Sequence, residues 1–427
     1  MQRNNVLSTA KYLFGKMLTL TSYIISICIF AESTYGSAAT APLSTPRILQ
    51  LYLNVDNGGG GVVRREMQKL FQQNNVDATT LILDPYHAPT YKIFNQQQLN
   101  YTLTDKVASP DSTNFTASIT QQIASLVKTN NFNIILCHDH ADLNMLNNME
   151  EKLPIKICFV VHTFHKIERT LRADAIIAVS PAMIPAITES LESAHIKLDI
   201  PVEHMYPIFN YKPYLEYHCR ETDRSKFFKN TFNISIANDA FVITSIANFY
   251  MAHKNHAVLI NAFEKIIKTY KQKAHLILAG IGPRKKEIET LVITHGLQEN
   301  VHFVGFTDKI PDLLYNSDIK ALTSDQEGCP ISVMEASLMK KPIIGTAIPG
   351  IKALISDGKT GLLFEKNNHL DLADKIAYLI ENPAYAQTLG ENAYAHTVAN
   401  CITPAIEKKI LSFFQRLAET PKKPNNL

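Results

Sequence analysis

Short apolar runs recur along this chain, many of them closing on histidine, serine or glycine, with stretches of helical spacing between most of them. Strands that alternate with helices in this way pair in parallel through right-handed crossovers, so the chain is expected to be α/β. In the first series, Ile48–Leu53 reads as a buried strand that runs into Asn57-Gly58-Gly59-Gly60-Gly61. Val62–Asn74 then has Val63, Met67 and Leu70 spaced for one helix face. Leu81–Leu83 is the next strand, and residues 85–115 carry no clear pattern. Further on, a helix is expected over 119–129, a strand over 134–137 and a helix over 143–152. Strands follow at 157–161, ending on His162, and at 175–179, ending on Ser180-Pro181.

Residues 210–232 are rich in charge and aromatics and poor in periodicity, which marks them as a joint. A second series begins at Phe241–Ile246. It continues with helix 256–270, strand 275–279, helix 284–295, strand 301–304, helix 310–316, strand 319–322, helix 330–339, strand 342–344 and helix 368–381. An amphipathic helix over 403–418 closes the chain. Two α/β halves of similar size predict a cleft between the carboxyl ends of two sheets, where ligands of such sheets bind.

Composition removes several alternatives. At 427 residues with 46% apolar and 19% charged side chains, the chain can bury more than one core. A net charge of +3 gives no broad basic field, and nucleic acid is not an expected partner. No His-Glu-x-x-His or Cys-x-x-Cys occurs, and no metal site is expected. The six cysteines (Cys28, Cys137, Cys158, Cys219, Cys329 and Cys401) are irregularly spaced, which fits free thiols. The N-terminus points elsewhere. Arg3, Lys11 and Lys16 precede an apolar run, Leu18–Ala31, and small residues follow at Ser37–Ala39. That layout is a signal-like or anchor segment, too short for a comfortable membrane span. It predicts either attachment at the cytoplasmic face of a membrane or export.

The densest chemistry is in Glu327-Gly328-Cys329-Pro330-Ile331-Ser332-Val333-Met334-Glu335, which follows a strand and opens a helix. Gly328 allows close backbone approach. Pro330 suits the first helical turn. The amides of Ile331, Ser332 and Val333 are then expected to be free, at the positive end of a helix able to hold a diphosphate. Glu327 precedes the helix, and Glu335 lies a turn inside it.

This phrase resembles the retaining glycosyltransferases of family 4, which have the two-domain GT-B fold and a Glu, seven residues and a second Glu at this place. The resemblance extends to Ser245–Asn248, Lys254-Asn255-His256, Leu259–Phe263, Ile277–Pro283, Ala347–Gly350 and Asp357–Phe364. It implies two Rossmann-like domains facing each other: 46–215 on the acceptor side and 216–400 on the nucleotide-sugar side. Residues 1–45 would be the signal-like segment and linker, and 401–427 a terminal helix and polar tail. It further implies transfer of a sugar from a nucleoside diphosphate sugar to a hydroxyl of a glycan or lipid-linked acceptor. No cofactor beyond that donor substrate is implied, and peripheral membrane association fits such an acceptor.

Roles carry over by position. The resemblance implies that Lys254 contacts the diphosphate and Glu327 the transferred sugar, with His162 facing that sugar. Glu335 would hold the ribose. Ile331 and Ser332, beside Gly328 and Pro330, would meet phosphate, and Gly59 and Gly60 would let the diphosphate or acceptor approach. Asn248 stands where the family usually has Arg, so it offers hydrogen bonds without charge. Arg64 and Arg65 read as a solvated helix face, with help to the diphosphate from across the cleft as the alternative. His138-Asp139-His140 cannot share one ion from a strand, because alternate residues face apart, and they read as loop. With no nucleophile apparent, front-face displacement is the expected route. A non-catalytic sugar- or nucleotide-binding protein, a sugar-nucleotide epimerase and a phosphorylase-like enzyme are the alternatives.

Overall fold

The computed structural model describes residues 45–422, apart from 54–58, 83–93, 105–114, 150, 152, 165–172, 194–199, 219–222, 272 and 403. The Leu18–Ala31 run, Asn57, Gly58, Cys28 and Cys219 lie outside the described residues. No described helix is long and apolar enough to cross a membrane.

The first half comprises β1 (Arg47–Tyr52), α1 (Gly59–Gln73), β2 (Asp77–Ile82), β3 (Tyr101–Leu103), α2 (Phe115–Asn130), β4 (Ile134–Cys137), α3 (His140–Asn147), β5 (Lys156–Val161), β6 (Ala175–Ala178), α4 (Met183–Ser193) and β7 (Val202–His204). Its seven strands lie in the order β3-β2-β1-β4-β5-β6-β7, all parallel. The strands of its centre are buried throughout, so they read as near-continuous apolar runs. Gly59 and Gly60 open α1 and do not belong to a loop before it, because the helix starts three residues ahead of the apolar spacing at Val62.

The joint is helical. α5 (Lys212–Leu215) and α6 (Arg224–Phe232) fall inside 210–232. Asp223 caps α6 by accepting from the Lys226 amide. The second half continues with β8 (Phe241–Ile246), α7 (His256–Lys268), β9 (Ala274–Ala279), α8 (Lys285–Thr294), β10 (Val301–Gly305), α9 (Ile310–Tyr315), β11 (Ile319–Leu322), α10 (Ile331–Leu338), β12 (Ile343–Thr346), α11 (Pro349–Lys352), β13 (Leu362–Phe364), α12 (His369–Glu381), α13 (Pro383–Asn400) and α14 (Pro404–Glu419). Its sheet runs β10-β9-β8-β11-β12-β13, again all parallel. In each sheet the order reverses beside the first strand, between β1 and β4 and between β8 and β11. Crevices of this kind hold ligands at the strands' carboxyl ends.

The terminal helix returns to the first half. Phe414 of α14 meets Phe71 of α1 edge-on at 5.1 Å. Arg416 pairs with Glu203 at 2.5 Å, and Lys156 reaches the carbonyls of Leu417, Ala418 and Thr420 at the helix's C-terminal end. A cation there satisfies acceptors that the helix leaves open. The four described cysteines, Cys137, Cys158, Cys329 and Cys401, are free and buried.

Phe414 is fully buried, so Phe414→Ala is expected to destabilise the protein by about 3–5 kcal/mol. Urea unfolding measures this, and the exposed Lys408→Ala on the same helix should stay within about 0.5 kcal/mol of the parent.

Candidate active site

The loop after β11 and the turn after β8 flank the crevice of the second sheet. They are stitched together: the Asp325 amide donates to the His253 carbonyl at 2.7 Å, and the Thr323 hydroxyl to the Lys254 carbonyl at 3.2 Å. Asn255 adds a bond to Asp325 at 3.1 Å. This stitching brings Lys254 Nζ to Glu327 Oε1 at 2.6 Å, with the Ser324 hydroxyl donating to the same oxygen at 2.7 Å. Both contacts fall on Oε1, so Oε2 is the oxygen available to a ligand. Burial pushes the Glu327 carboxyl up, but Lys254 and Ser324 outweigh it and hold it below the usual carboxylate range. His256, next along, is buried and stacked on Phe249 at 4.2 Å. Burial lowers it to about 4, so its ring is neutral at neutral pH.

Pro330 is the N-cap of α10, with φ −71° and ψ 112°, and not its first helical residue. Its carbonyl accepts from the Val333 amide at 3.0 Å. Val333 is therefore not one of the free amides. The amides of Ile331 and Ser332 take no backbone acceptor among the described residues. Glu335, a turn inside, accepts at Oε1 from the Tyr214 hydroxyl at 2.6 Å. Burial raises its pKa. Tyr214 lies on α5 in the joint, where no periodicity singled it out.

The first half supplies the opposite wall. A β-carbon on Gly59 would sit 3.8 Å from Ile331 Cδ1, so the N-termini of α1 and α10 lie across from each other. A β-carbon on Gly328 would sit 1.9 Å from the His162 carbonyl oxygen, and one on Gly350 1.9 Å from that of Glu327. Both positions exclude any side chain. Glu327, Lys254, Gly328, Ile331 and His162 thus converge, with Gly59 facing them and Gly60 next to it in α1. Asn248 is half-buried after β8, and its side chain accepts from the Tyr250 amide at 3.2 Å. That bond shapes its own turn and includes no contact with Lys254.

Two further expectations need correction. Arg64 is not solvated: it is 2% exposed, its guanidinium 4.6 Å over the Tyr52 ring, with Nε and Nη1 lacking partners among the described residues. Arg65 is half-buried. Nor are His138-Asp139-His140 plain loop. His138 is buried and bonded to His162 at 2.9 Å, Asp139 caps α3, and His140 packs on Phe159 at 4.9 Å. Lys320 lies in the strand expected over 319–322. Ile319 and Ala321 face one core and Leu322 another, so Lys320 shares the Leu322 face. It is fully buried and its ammonium has no hydrogen-bond partner among the described residues. A lone lysine in an apolar strand was the available signal.

Residues 227–396 match the family of glycosyl transferases group 1. The chain carries a group 1 glycosyltransferase domain. It is 28% identical over 211 residues to an N-acetyl-alpha-D-glucosaminyl L-malate synthase of Bacillus anthracis, covering 49% of this chain and 53% of that one. It is 31% identical over 159 residues to a poly(ribitol-phosphate) alpha-N-acetylglucosaminyltransferase of Staphylococcus aureus, covering 37% of this chain and 32% of that one. The match thus spans about half or less of these relatives' length. The solved structure of Anabaena HepE in complex with UDP superposes with a TM-score of 0.69 at 18% identity, covering 87% of this chain and all of that one. The fold of this chain is therefore GT-B.

Burial lowers Lys320 to about 8 from 10.5, against the pull of Glu335 and Glu327. The unfolded chain keeps that proton to higher pH, so stability is expected to rise with pH between about 8 and 10.5. Lys320→Met should remove its share of that rise, leaving the part due to Lys341, which burial also lowers to about 8, and add about 1–3 kcal/mol at pH 7. Urea unfolding at pH 7 and pH 9.5 measures both effects.

Proposed function

We propose that the chain is a retaining glycosyltransferase that moves a sugar from a nucleoside diphosphate sugar to a hydroxyl of a glycan or lipid-linked acceptor. The observation that carries this reading is the Lys254–Glu327 pair. It stands at the carboxyl end of the sheet's switch point, beside the N-terminus of α10 and against His162. The match of residues 227–396 to the glycosyl transferases group 1 supports the same reading.

In this proposal the diphosphate lies between the N-termini of α1 and α10. The amides of Ile331 and Ser332 and the Lys254 ammonium face it, and Gly59 and Gly60 leave it room. Helix N-termini suit anions because their first amides are open and the dipole is positive there. As the sugar–phosphate bond breaks, negative charge grows on the departing diphosphate, and Lys254 stabilises it where it develops. Glu327 is ionised and oriented by Ser324 and Lys254, so Oε2 can accept from a hydroxyl of the sugar. Glu335, steadied by Tyr214, accepts from the ribose. The departing phosphate takes the acceptor's proton on the same face, which gives retention. In this scheme Lys254 and the helix ends carry the diphosphate charge, and no metal ion takes part. The segment 18–31 is proposed to hold the chain at the cytoplasmic face of a membrane, since sugar nucleotides are made in the cytosol. Sequencing the mature N-terminus separates that from export.

Purified protein offered a panel of sugar nucleotides should release nucleoside diphosphate with at least one of them, with or without EDTA. Glu327→Gln and Lys254→Ala should each slow that release about 10²–10³-fold while remaining folded under assay conditions, although each loses stability with the buried ion pair. NMR of the product should show the donor's anomeric configuration. Parental rates in both variants would remove the site assignment, and an inverted product would remove retention. Tight donor binding without turnover would favour the binding-protein alternative.

A further inference from the structure

A chain of buried side chains runs from α1 and β2 to His162, and its polarity can be read from its ends. Gln68 Nε2 donates to the Ala78 carbonyl at 2.8 Å, which leaves Gln68 Oε1 to accept from the Thr80 hydroxyl at 2.9 Å. Thr80 Oγ1 then accepts from Gln50 Nε2 at 3.0 Å, and Gln50 Nε2 also donates to the Arg64 carbonyl at 3.0 Å. A backbone carbonyl only accepts, so the orientations of both amides are determined. Gln50 Oε1 therefore faces His138 Nε2, at 3.2 Å, as an acceptor, and His138 Nε2 carries the proton. Gln50, Gln68, Thr80 and His138 are all buried.

The next step depends on whether His138 is neutral. Burial, then the Arg64 cation, then His162 push its pKa well below the ordinary imidazole range. Its geometry agrees: His138 is 6% exposed and, among the described residues, no carboxylate is among its hydrogen-bond partners. A neutral ring protonated at Nε2 has a lone pair at Nδ1, which lies 2.9 Å from His162 Nε2. His162 Nε2 must then be the donor.

We infer that Gln50 and His138 are positioning residues that assign the Nε2 proton of His162 to the His138 bond, so that the neutral His162 ring carries its lone pair, as an acceptor, at Nδ1. Whatever meets Nδ1 must donate a proton to it, as a hydroxyl of the transferred sugar does and a phosphate oxygen does not. The last clause rests on the transferase reading above, whereas the tautomer does not. Gln50 sits on β1, His138 beyond β4 and His162 beyond β5, so three adjacent strand positions set one lone pair at the rim of the cleft.

The test is ¹⁵N-histidine NMR of the full chain at neutral pH. His162, assigned by its loss in His162→Gln, should show a protonated Nε2 and an unprotonated Nδ1, and His138 the same pattern. Gln50→Met removes the acceptor at His138 Nε2 and should abolish the uniform pattern at His162. It should also lower kcat about tenfold, with KM changed less, as expected for one hydrogen bond lost in the transition state. Thr80→Val is the control for mere destabilisation. It weakens the chain but leaves the Arg64 carbonyl to orient Gln50, so tautomer and kcat should both persist. A protonated Nδ1 on His162 in the parent, or an unchanged pattern in Gln50→Met, overturns the inference. If Gln50→Met does not fold, the parent spectrum alone still decides it. The expected spectrum in a protein that transfers no sugar upholds the tautomer and counts against the transferase reading alone.

Discussion

Two backbone carbonyls stand where β-carbons would be. The His162 oxygen lies 1.9 Å from the β-carbon position of Gly328, and the Glu327 oxygen 1.9 Å from that of Gly350. The first contact joins the carboxyl ends of the two sheets, and the second presses the Glu327 loop against α11. Even a methyl group at either place would force the backbone apart, because interiors are close-packed and do not deform continuously. The width of the cleft and the heading of Glu327 both follow from these contacts. Lys254 reaches Glu327 only because the loop is held there on one side and stitched to the β8 turn on the other.

Within that frame the charges have a common sense. Lys254, Lys320 and the N-terminus of α10 all lie close to the Glu327–Glu335 segment. Lys320 is buried without a partner, at a cost in stability that an apolar side chain would spare. Arg64 repeats the theme across the cleft, buried behind His138 with part of its guanidinium unpartnered. A site that must neutralise a diphosphate gains from cations whose charge is poorly screened, because electrostatic interactions strengthen as water is excluded. The two carboxylates are kept separate by different partners, Lys254 for Glu327 and Tyr214 for Glu335.

How much of this was legible depends on what each signal needed. The buried strands of both sheets were readable because both faces of a parallel sheet are covered, which gives unbroken apolar runs such as Ile134–Cys137. α13 was missed because its 18 residues, Pro383–Asn400, carry small and polar side chains with almost no amphipathic period. α6 was hidden in the joint by its charges and phenylalanines, although Asp223 was a usable cap signal. The Glu327–Glu335 phrase was legible because its elements are local: a strand, a glycine, a proline and a helix. The Gly350 contact, the Tyr214 bond and the His138–His162 bond were not, since each joins residues that only the tertiary fold brings together. Arg64 was misread because helix spacing predicts a face, and the second surface covering that face came from elsewhere in the fold.

The central claim is that opposed helix N-termini and Lys254 form a diphosphate site at the mouth of the second sheet. Isothermal titration with nucleoside diphosphates and the matching monophosphates tests it without requiring the sugar or the acceptor to be known. At least one diphosphate should bind the parent more tightly than its monophosphate, and Lys254→Met should erase most of that difference, while Lys273→Met on the exposed surface should not. Equal affinity for mono- and diphosphate, or a preference that survives in Lys254→Met, would contradict the account.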